Sequence, residues 1–368
     1  MTGAPAPISL RELNRAYLSR QMLLAREKVS ALDAIGRLVA MQAQIPKPPF
    51  IGLWTRLKDF DRTDLLDLLR KRGAVRAPGL RGTLHLMTTP DYFLFRGTIH
   101  GGMVKGMQAI LRDRADPLHP KELGKLATDF FATGADFDDL RKHLKAKDPK
   151  CDERAIAYGV RMHVPVIQLP DDSPWGFPSA ARFDTAERWL KKKVALDKVL
   201  LEELVLRYLE AFGPASPLDA QTWAADPRLR EAFEELRPKL VAFRDGKREL
   251  FDLPKAERPD PDTPAPVRFI PEYDNLVLGH QDRRRIVADE HKGKLLTKNL
   301  QVKATFLVDG FVAGTWKIER KKNDATLSLA PFVKIDRASK AALEEEGAHL
   351  LAFAEEGAKA AIKWQSIS

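Results

Sequence analysis

The stretch DKVLLEELVLRYLEAFGPASPLDAQTWAADPRLREAFEELRPKLVAFRDGKRELFDL, residues 197–253, decides the fold. Its apolar residues recur at helical spacing as far as Gly213, which stops the first helix. SPLDAQTWAA and PRLREAFEEL predict two more short helices. VAFRDGKRELFDL then alternates about Asp245 and Gly246, the turn chemistry of a β-hairpin. Helices followed by a hairpin make the winged-helix plan, a helix-turn-helix with a β-ribbon attached.

The same order of elements is predicted twice more upstream. In the first block Ser30 is a candidate N-cap before Leu32, Ile35, Leu38 and Val39, and DLLDLLRKRG ends a helix with basic residues before Gly73. VRAPGLRGTLHLM follows. There Leu80, Gly82, Leu84 and Leu86 alternate with Arg81, Thr83 and His85, which predicts a strand with one apolar face and one polar, basic face. In the second block DFDDLRKHLKAK and DERAIAYGVRMH predict helices, and VPVIQLP with WGFPSAARF a strand pair.

PDPDTPAP, residues 259–266, places four prolines in eight residues, which forbids a regular helix or a central strand. A new domain is expected from Val267. Its segment ATFLVDGFVAGTWKIERKKNDATLSLAPF reads as a three-stranded meander with turns at Asp309-Gly310 and Asn323-Asp324. SKAALEEEGAHLLAFAEEGAKAAI, residues 339–362, reads as a helix with an acidic outer face. The expectation is an α+β chain of tandem winged-helix repeats with a C-terminal β-containing domain. The winged-helix units span residues 1–115, 116–195 and 196–258, and the last domain 267–368.

A chain of 368 residues with 44% hydrophobic and 30% charged residues buries ordinary cores, which excludes a disulfide miniprotein, a fibrous repeat and wholesale disorder. Against 51 Asp and Glu stand 61 Lys and Arg, a net charge of +10 that suits a polyanion partner. The only cysteine, Cys151, permits neither an intrachain disulfide nor a thiolate metal cluster. No segment approaches the roughly 18 apolar residues of a membrane span, and the N-terminus lacks an apolar core. A cytoplasmic monomer with no membrane contact is expected. No HExxH, zinc spacing, GxxxxGK[ST], GxGxxG or GxSxG occurs, so no metal or cofactor is expected. Basic runs at residues 191–193, 283–285 and 320–322 are solvated faces or phosphate contacts, and the last lies at a hairpin tip, as a wing contact requires.

MQAQIPKPP, residues 41–49, is unusual. Pro46 disfavours the α region at Ile45, so the preceding helix is expected to end about here, with Gln42 and Gln44 in a helix-to-extended transition. Extended residues i and i+2 point the same way. Two carboxamides on one side can hold a water, a sugar or a base edge, since each both donates and accepts. They can equally cap the helix end or face solvent.

Residues 31–57, running through QAQ and the prolines into IGLWTRL, resemble the AlkZ-type winged-helix DNA glycosylases. So do RGTLHL at 81–86, FGPAS at 212–216, PEYDNLVLGHQDRRR at 271–285 and VDGFVAGTW at 308–316. The resemblance implies tandem winged helices forming a concave scaffold for duplex DNA. The family signature is Gln, a hydrophobic residue, then Gln in the AlkZ branch or Asp in the YcaQ branch. Gln42, Ala43 and Gln44 match the glutamine branch, whose members are linked to bulky N7-alkylguanines and interstrand crosslinks.

The reaction implied is hydrolysis of an N-glycosidic bond in alkylated DNA, with Gln42 and Gln44 as catalytic residues. An amide cannot take a proton from water at neutral pH, so the pair would orient the water and stabilise charge on the sugar. The leaving group must help, and a cationic N7-alkylpurine does so by departing neutral. Arg81, Thr83, His85, Arg283, Arg320, Lys321 and Lys322 are the candidates for lining the site or holding DNA. The alternative is a winged-helix DNA-binding regulator without catalysis.

Overall fold

The computed structural model describes residues 5–178, 182–297 and 301–367. β1 (Ala6–Pro7) leads into α1 (Leu10–Arg20), which opens on a reciprocal capping box between Ser9 and Glu12. Ser30 caps α2 (Ala31–Arg37) by accepting from the Asp33 N–H. Then come β2 (Met41–Gln42), α3 (Pro48–Trp54), α4 (Arg62–Arg70) and the hairpin of β3 (Ala74–Pro78) and β4 (Leu84–Thr88). The long α5 (Thr89–Leu111) leads away from it. The order recurs in α6 (Pro120–Phe130), α7 (Phe137–Lys147), α8 (Glu153–His163), β5 (Val166–Gln168) and β6 (Phe183–Thr185).

After α9 (Ala186–Leu190) the third round is α10 (Leu201–Phe212), α11 (Pro217–Ala224), α12 (Leu229–Leu236), β7 (Val241–Asp245) and β8 (Arg248–Asp252), as the spacing predicts. Residues 259–266 form neither helix nor strand. The chain closes with β9 (Arg268–Ile270), α13 (Asn275–Leu278), β10 (Thr305–Val308), β11 (Phe311–Lys321), β12 (Asp324–Pro331), α14 (Arg337–Ala354) and β13 (Lys359–Trp364). The molecule is therefore α+β, with helical groups each followed by strands.

Sheet pairing joins these rounds. The first two hairpins merge into one sheet, order β2-β4-β3-β5-β6, through Arg76 opposite Gln168. β1 runs parallel to β7, so the N-terminal segment completes the third hairpin's sheet. The C-terminal sheet, order β13-β12-β11-β10-β9, buries Phe269, Leu327 and Leu329 against Leu343, Leu350 and Leu351 of α14. The largest core runs through α1, α5 and α10 to α12 and includes Tyr208, Phe212 and Trp223. Rings of this size contribute on the order of 3 kcal/mol each from apolar burial.

Four expectations change. The strand read from Leu80 begins only at Leu84, because residues 80–82 make a tight turn in which Arg81 (φ 57°) and Gly82 (φ 67°) are both left-handed. Helix α2 ends at Arg37, ahead of QAQ, where Val39 (φ 63°) reverses the chain. Helix α14 stops at Ala354. Gly357 (φ 73°) turns the chain, and KAAIKW pairs parallel to β12 as an edge strand that the helical reading had absorbed. Last, the second meander turn falls at Lys322-Asn323, with Asp324 already in β12. Residues 179–181 of WGFPSAARF lie outside the described residues.

A buried ion pair fastens the N-terminal round to the C-terminal part. Arg56, just past α3, donates to both carboxylate oxygens of Asp274 at 2.9 Å each, and to the carbonyls of Gly52 (2.8 Å) and Gln21 (3.1 Å). Gly52 makes room, since a Cβ there would stand 2.8 Å from the Met41 Cε. Asp274→Ala leaves a buried, unpaired guanidinium and should cost about 3–5 kcal/mol in urea unfolding. Replacing both partners, Arg56→Met with Asp274→Leu, should recover much of that loss. Arg37→Ala, which breaks the exposed pair with Glu27, should cost about 1 kcal/mol or less.

Candidate active site around the QAQ segment

β2 pairs antiparallel with β4, setting Gln42 opposite His85. The Ala43 N–H donates to the Leu84 carbonyl at 2.7 Å, and there the ladder ends. Arg76, from β3, donates through Nε to the Ala43 carbonyl (2.7 Å) and through Nη2 to the Gln44 carbonyl (3.2 Å). The Leu84 N–H turns instead to the Gln44 side-chain Oε1, at 3.4 Å. One guanidinium thus peels the motif off the sheet and holds it bent.

The bend separates the two amides. Gln42 is buried and Gln44 exposed, because the extended stretch is too short for the i, i+2 rule to carry both to one face. The left-handed turn places Arg81 inward. Its Nη2 donates to the Gln42 Oε1 (2.9 Å) and the Asn275 Oδ1 (3.1 Å), and its Nη1 to the Trp223 carbonyl. Asn275 in turn donates to the Ala40 carbonyl at 2.7 Å. The amide oxygen of Gln42 is therefore committed, and its NH2 group has no partner among the described residues.

Beside Gln42 lies a cavity of about 10 Å³, the space of roughly one water molecule. Met41, Arg56, Glu272, Asp274 and Asn275 also line it. An open cleft of about 470 Å³ adjoins, bordered by Ile45, Glu272, Tyr273, Lys303, Trp316 and Lys317. Glu272 borders both spaces.

Arg76, Arg81 and Arg283 each lack a carboxylate partner among the described residues. Burial pushes the Arg76 guanidinium down to about 10. Burial, and then neighbouring Arg283, does the same to Arg81. Both stay cationic at neutral pH. The Arg283 guanidinium, lowered by burial, has no hydrogen-bond or ion-pair partner among the described residues, although the Arg283 carbonyl accepts from the Ile286 and Val287 N–H groups. Its neighbours are used up: Arg284 binds Asp282 and Asp245, and buried Arg285 donates to the Pro214 carbonyl. Arg76 and Arg81 lie buried against the motif and Arg283 lies close enough to act on Arg81, a local excess of positive charge.

The remaining candidates sort by burial. His85 is fully buried with Nδ1 3.1 Å from the Thr83 carbonyl, and burial, reinforced by Arg81, lowers it to about 3. It is neutral and offers no surface to a ligand, which corrects its place on an open polar face. Thr83 closes the turn by donating to the Leu80 carbonyl at 3.2 Å. Arg320, Lys321 and Lys322 are exposed at the β11–β12 tip. Glu355 pairs with both Arg320 and Lys47, so it tethers that tip to the segment following QAQ.

Sequence reasoning missed Arg76, Glu272 and Asn275. A charged residue inside the apolar run AVRAP was the available signal for Arg76; the other two lie in PEYDN, whose chemistry the pattern alone does not declare. Among the described residues, no group of three His, Cys, Asp or Glu is arranged to hold a metal, and no helix is long and apolar enough to cross a membrane.

Comparison with known proteins agrees with this architecture. The chain is 24% identical over 381 residues to the interstrand DNA cross-link repair glycosylase of Streptomyces sahachiroi, covering 93% of this chain and 95% of the relative. The solved structure of Streptomyces sahachiroi DNA glycosylase AlkZ superposes with a TM-score of 0.75 at 19% identity, over 97% of this chain and all of that one. The model of the DNA glycosylase AlkZ-like family matches residues 35–353, and the chain belongs to that family.

Proposed function

We propose that this protein is a monofunctional DNA glycosylase that hydrolyses the N-glycosidic bond of cationic N7-alkylated purines in duplex DNA, with Gln42 and Gln44 as its catalytic residues. The observation that carries the reading is the fixed Gln42 amide beside a one-water cavity, near three guanidiniums that lack carboxylate partners among the described residues. Half-buried Arg283, whose guanidinium is unpaired, is the group of the three that can meet a phosphate flanking a lesion, and the amides act on the sugar and the water.

A single-water cavity cannot receive an extruded purine, so the lesion meets Gln42 from the open side. That suits adducts too bulky or too tethered to flip. On this ground, and from the name of the Streptomyces relative, the proposal extends to interstrand crosslinks. The proposed nucleophile is water. The product is then an abasic site on an intact strand.

With N7-methylguanine duplex under single turnover, the protein should release free base without nicking the strand. Gln42→Ala and Gln44→Ala should each slow release by roughly 100-fold or more, with little change in DNA affinity. Binding without base release would make the protein a non-catalytic DNA binder. Wild-type rates in both variants would return the glutamines to a structural role.

Arg283→Ala should weaken duplex binding about equally across unrelated sequences and lower the slope of log affinity against log salt by about 1. An unchanged slope would place the phosphates elsewhere.

A further inference from the structure

Gln42 spends its oxygen on Arg81 and Gln44 offers its oxygen to the Leu84 N–H, so neither amide is placed to accept from an attacking water. The cavity beside Gln42 nevertheless needs an acceptor if the water in it is to become a nucleophile. Of its polar lining groups, Asp274 is taken by Arg56 in a two-point pair, and Asn275 is occupied on both sides by Arg81 and the Ala40 carbonyl. Glu272 is half-buried, and its carboxylate has no hydrogen-bond or ion-pair partner among the described residues.

Resting on the glycosylase reading, we infer that Glu272 is the general base of the reaction. The water in the small cavity is held between the Gln42 NH2 group and the Glu272 carboxylate. The bond between C1′ and N9 breaks with its electron pair going to the purine, which neutralises the cationic ring and lets it leave. The water oxygen bonds to C1′, and its proton passes to Glu272 and then to solvent. Glu272 is suited to this because it lines both the small cavity beside Gln42 and the larger cleft that a nucleotide can enter. The charged and titratable groups around it are Arg56 and Asp274 on the cavity side, and Tyr273, Lys303 and Lys317 on the cleft side. Arg56 and Asp274 answer each other, Lys317 pairs with Glu319, and Lys303 has no ion-pair partner among the described residues.

The test is single-turnover release of N7-methylguanine from duplex DNA between about pH 3.5 and 8, with spontaneous release subtracted and with melting and DNA affinity measured for every variant. Glu272→Gln keeps the shape and loses the base, so release should slow about 100-fold or more with affinity retained. The wild-type rate should fall on the acid side as the carboxylate protonates, and that limb should vanish in Glu272→Gln. Glu272→Asp keeps a carboxylate and should retain both the acid limb and part of the rate. A wild-type rate in Glu272→Gln, or an acid limb that survives the substitution, overturns the assignment. Should Glu272→Gln fail to fold, a folded Glu272→Asp without an acid limb overturns it equally. Absence of base release by the wild-type protein would instead fail the glycosylase reading itself, and this inference with it.

Discussion

The Arg56–Asp274 pair joins two stretches of chain that lie 218 residues apart in sequence and that together make the site. On one side it fixes the helix that follows QAQIPK. On the other it fixes the loop carrying Glu272 and Asn275. An ion pair sealed from water stabilises a fold only when each remaining donor is satisfied. Here the guanidinium also reaches the carbonyls of Gly52 and Gln21, so little is left unpaired. Helix α1 backs this arrangement from behind, with the Tyr17 hydroxyl donating to the carbonyls of Asn275 and Leu276. The spacing between Gln42 and Glu272 is therefore set by groups that cannot be loosened without exposing a buried charge.

Much of the fold was legible because local rules and tertiary packing agree. The third helical round and its hairpin follow from amphipathic spacing, a capping serine and the Asp245-Gly246 turn, each of which acts within a few residues. Where the reading failed, longer-range contacts decide. Residues 80–86 alternate like a strand, yet Arg81 leaves the extended region to reach Gln42, Asn275 and the Trp223 carbonyl. KAAIKW carries no turn residue after Gly357 to announce a strand, and only the free edge of β12 calls it into the sheet.

The site was partly legible. Pro46 after two glutamines marked the segment, and the basic run at 283–285 marked a nearby surface. A sequence run cannot show, however, that Arg284 and Arg285 are spent on structure while Arg283 is left over. Nor can it show that Arg76 bends the motif so that the two amides part. The partition of arginines into spent and unspent is a property of packing. It also converts a modest net charge of +10 into a local field at one place.

The proposed mechanism requires hydrolysis at Gln42 from the open side, with no base-sized pocket involved. The most direct measurement is the structure of the protein bound to a duplex whose N7-methylguanine nucleotide carries a 2′-fluorine that resists hydrolysis. The expected result is a water between Gln42 and Glu272 within roughly 3.5 Å of C1′, a phosphate at Arg283, and the modified base outside the small cavity. A lesion bound away from Gln42, or a purine fully extruded into an enclosed pocket, would contradict it.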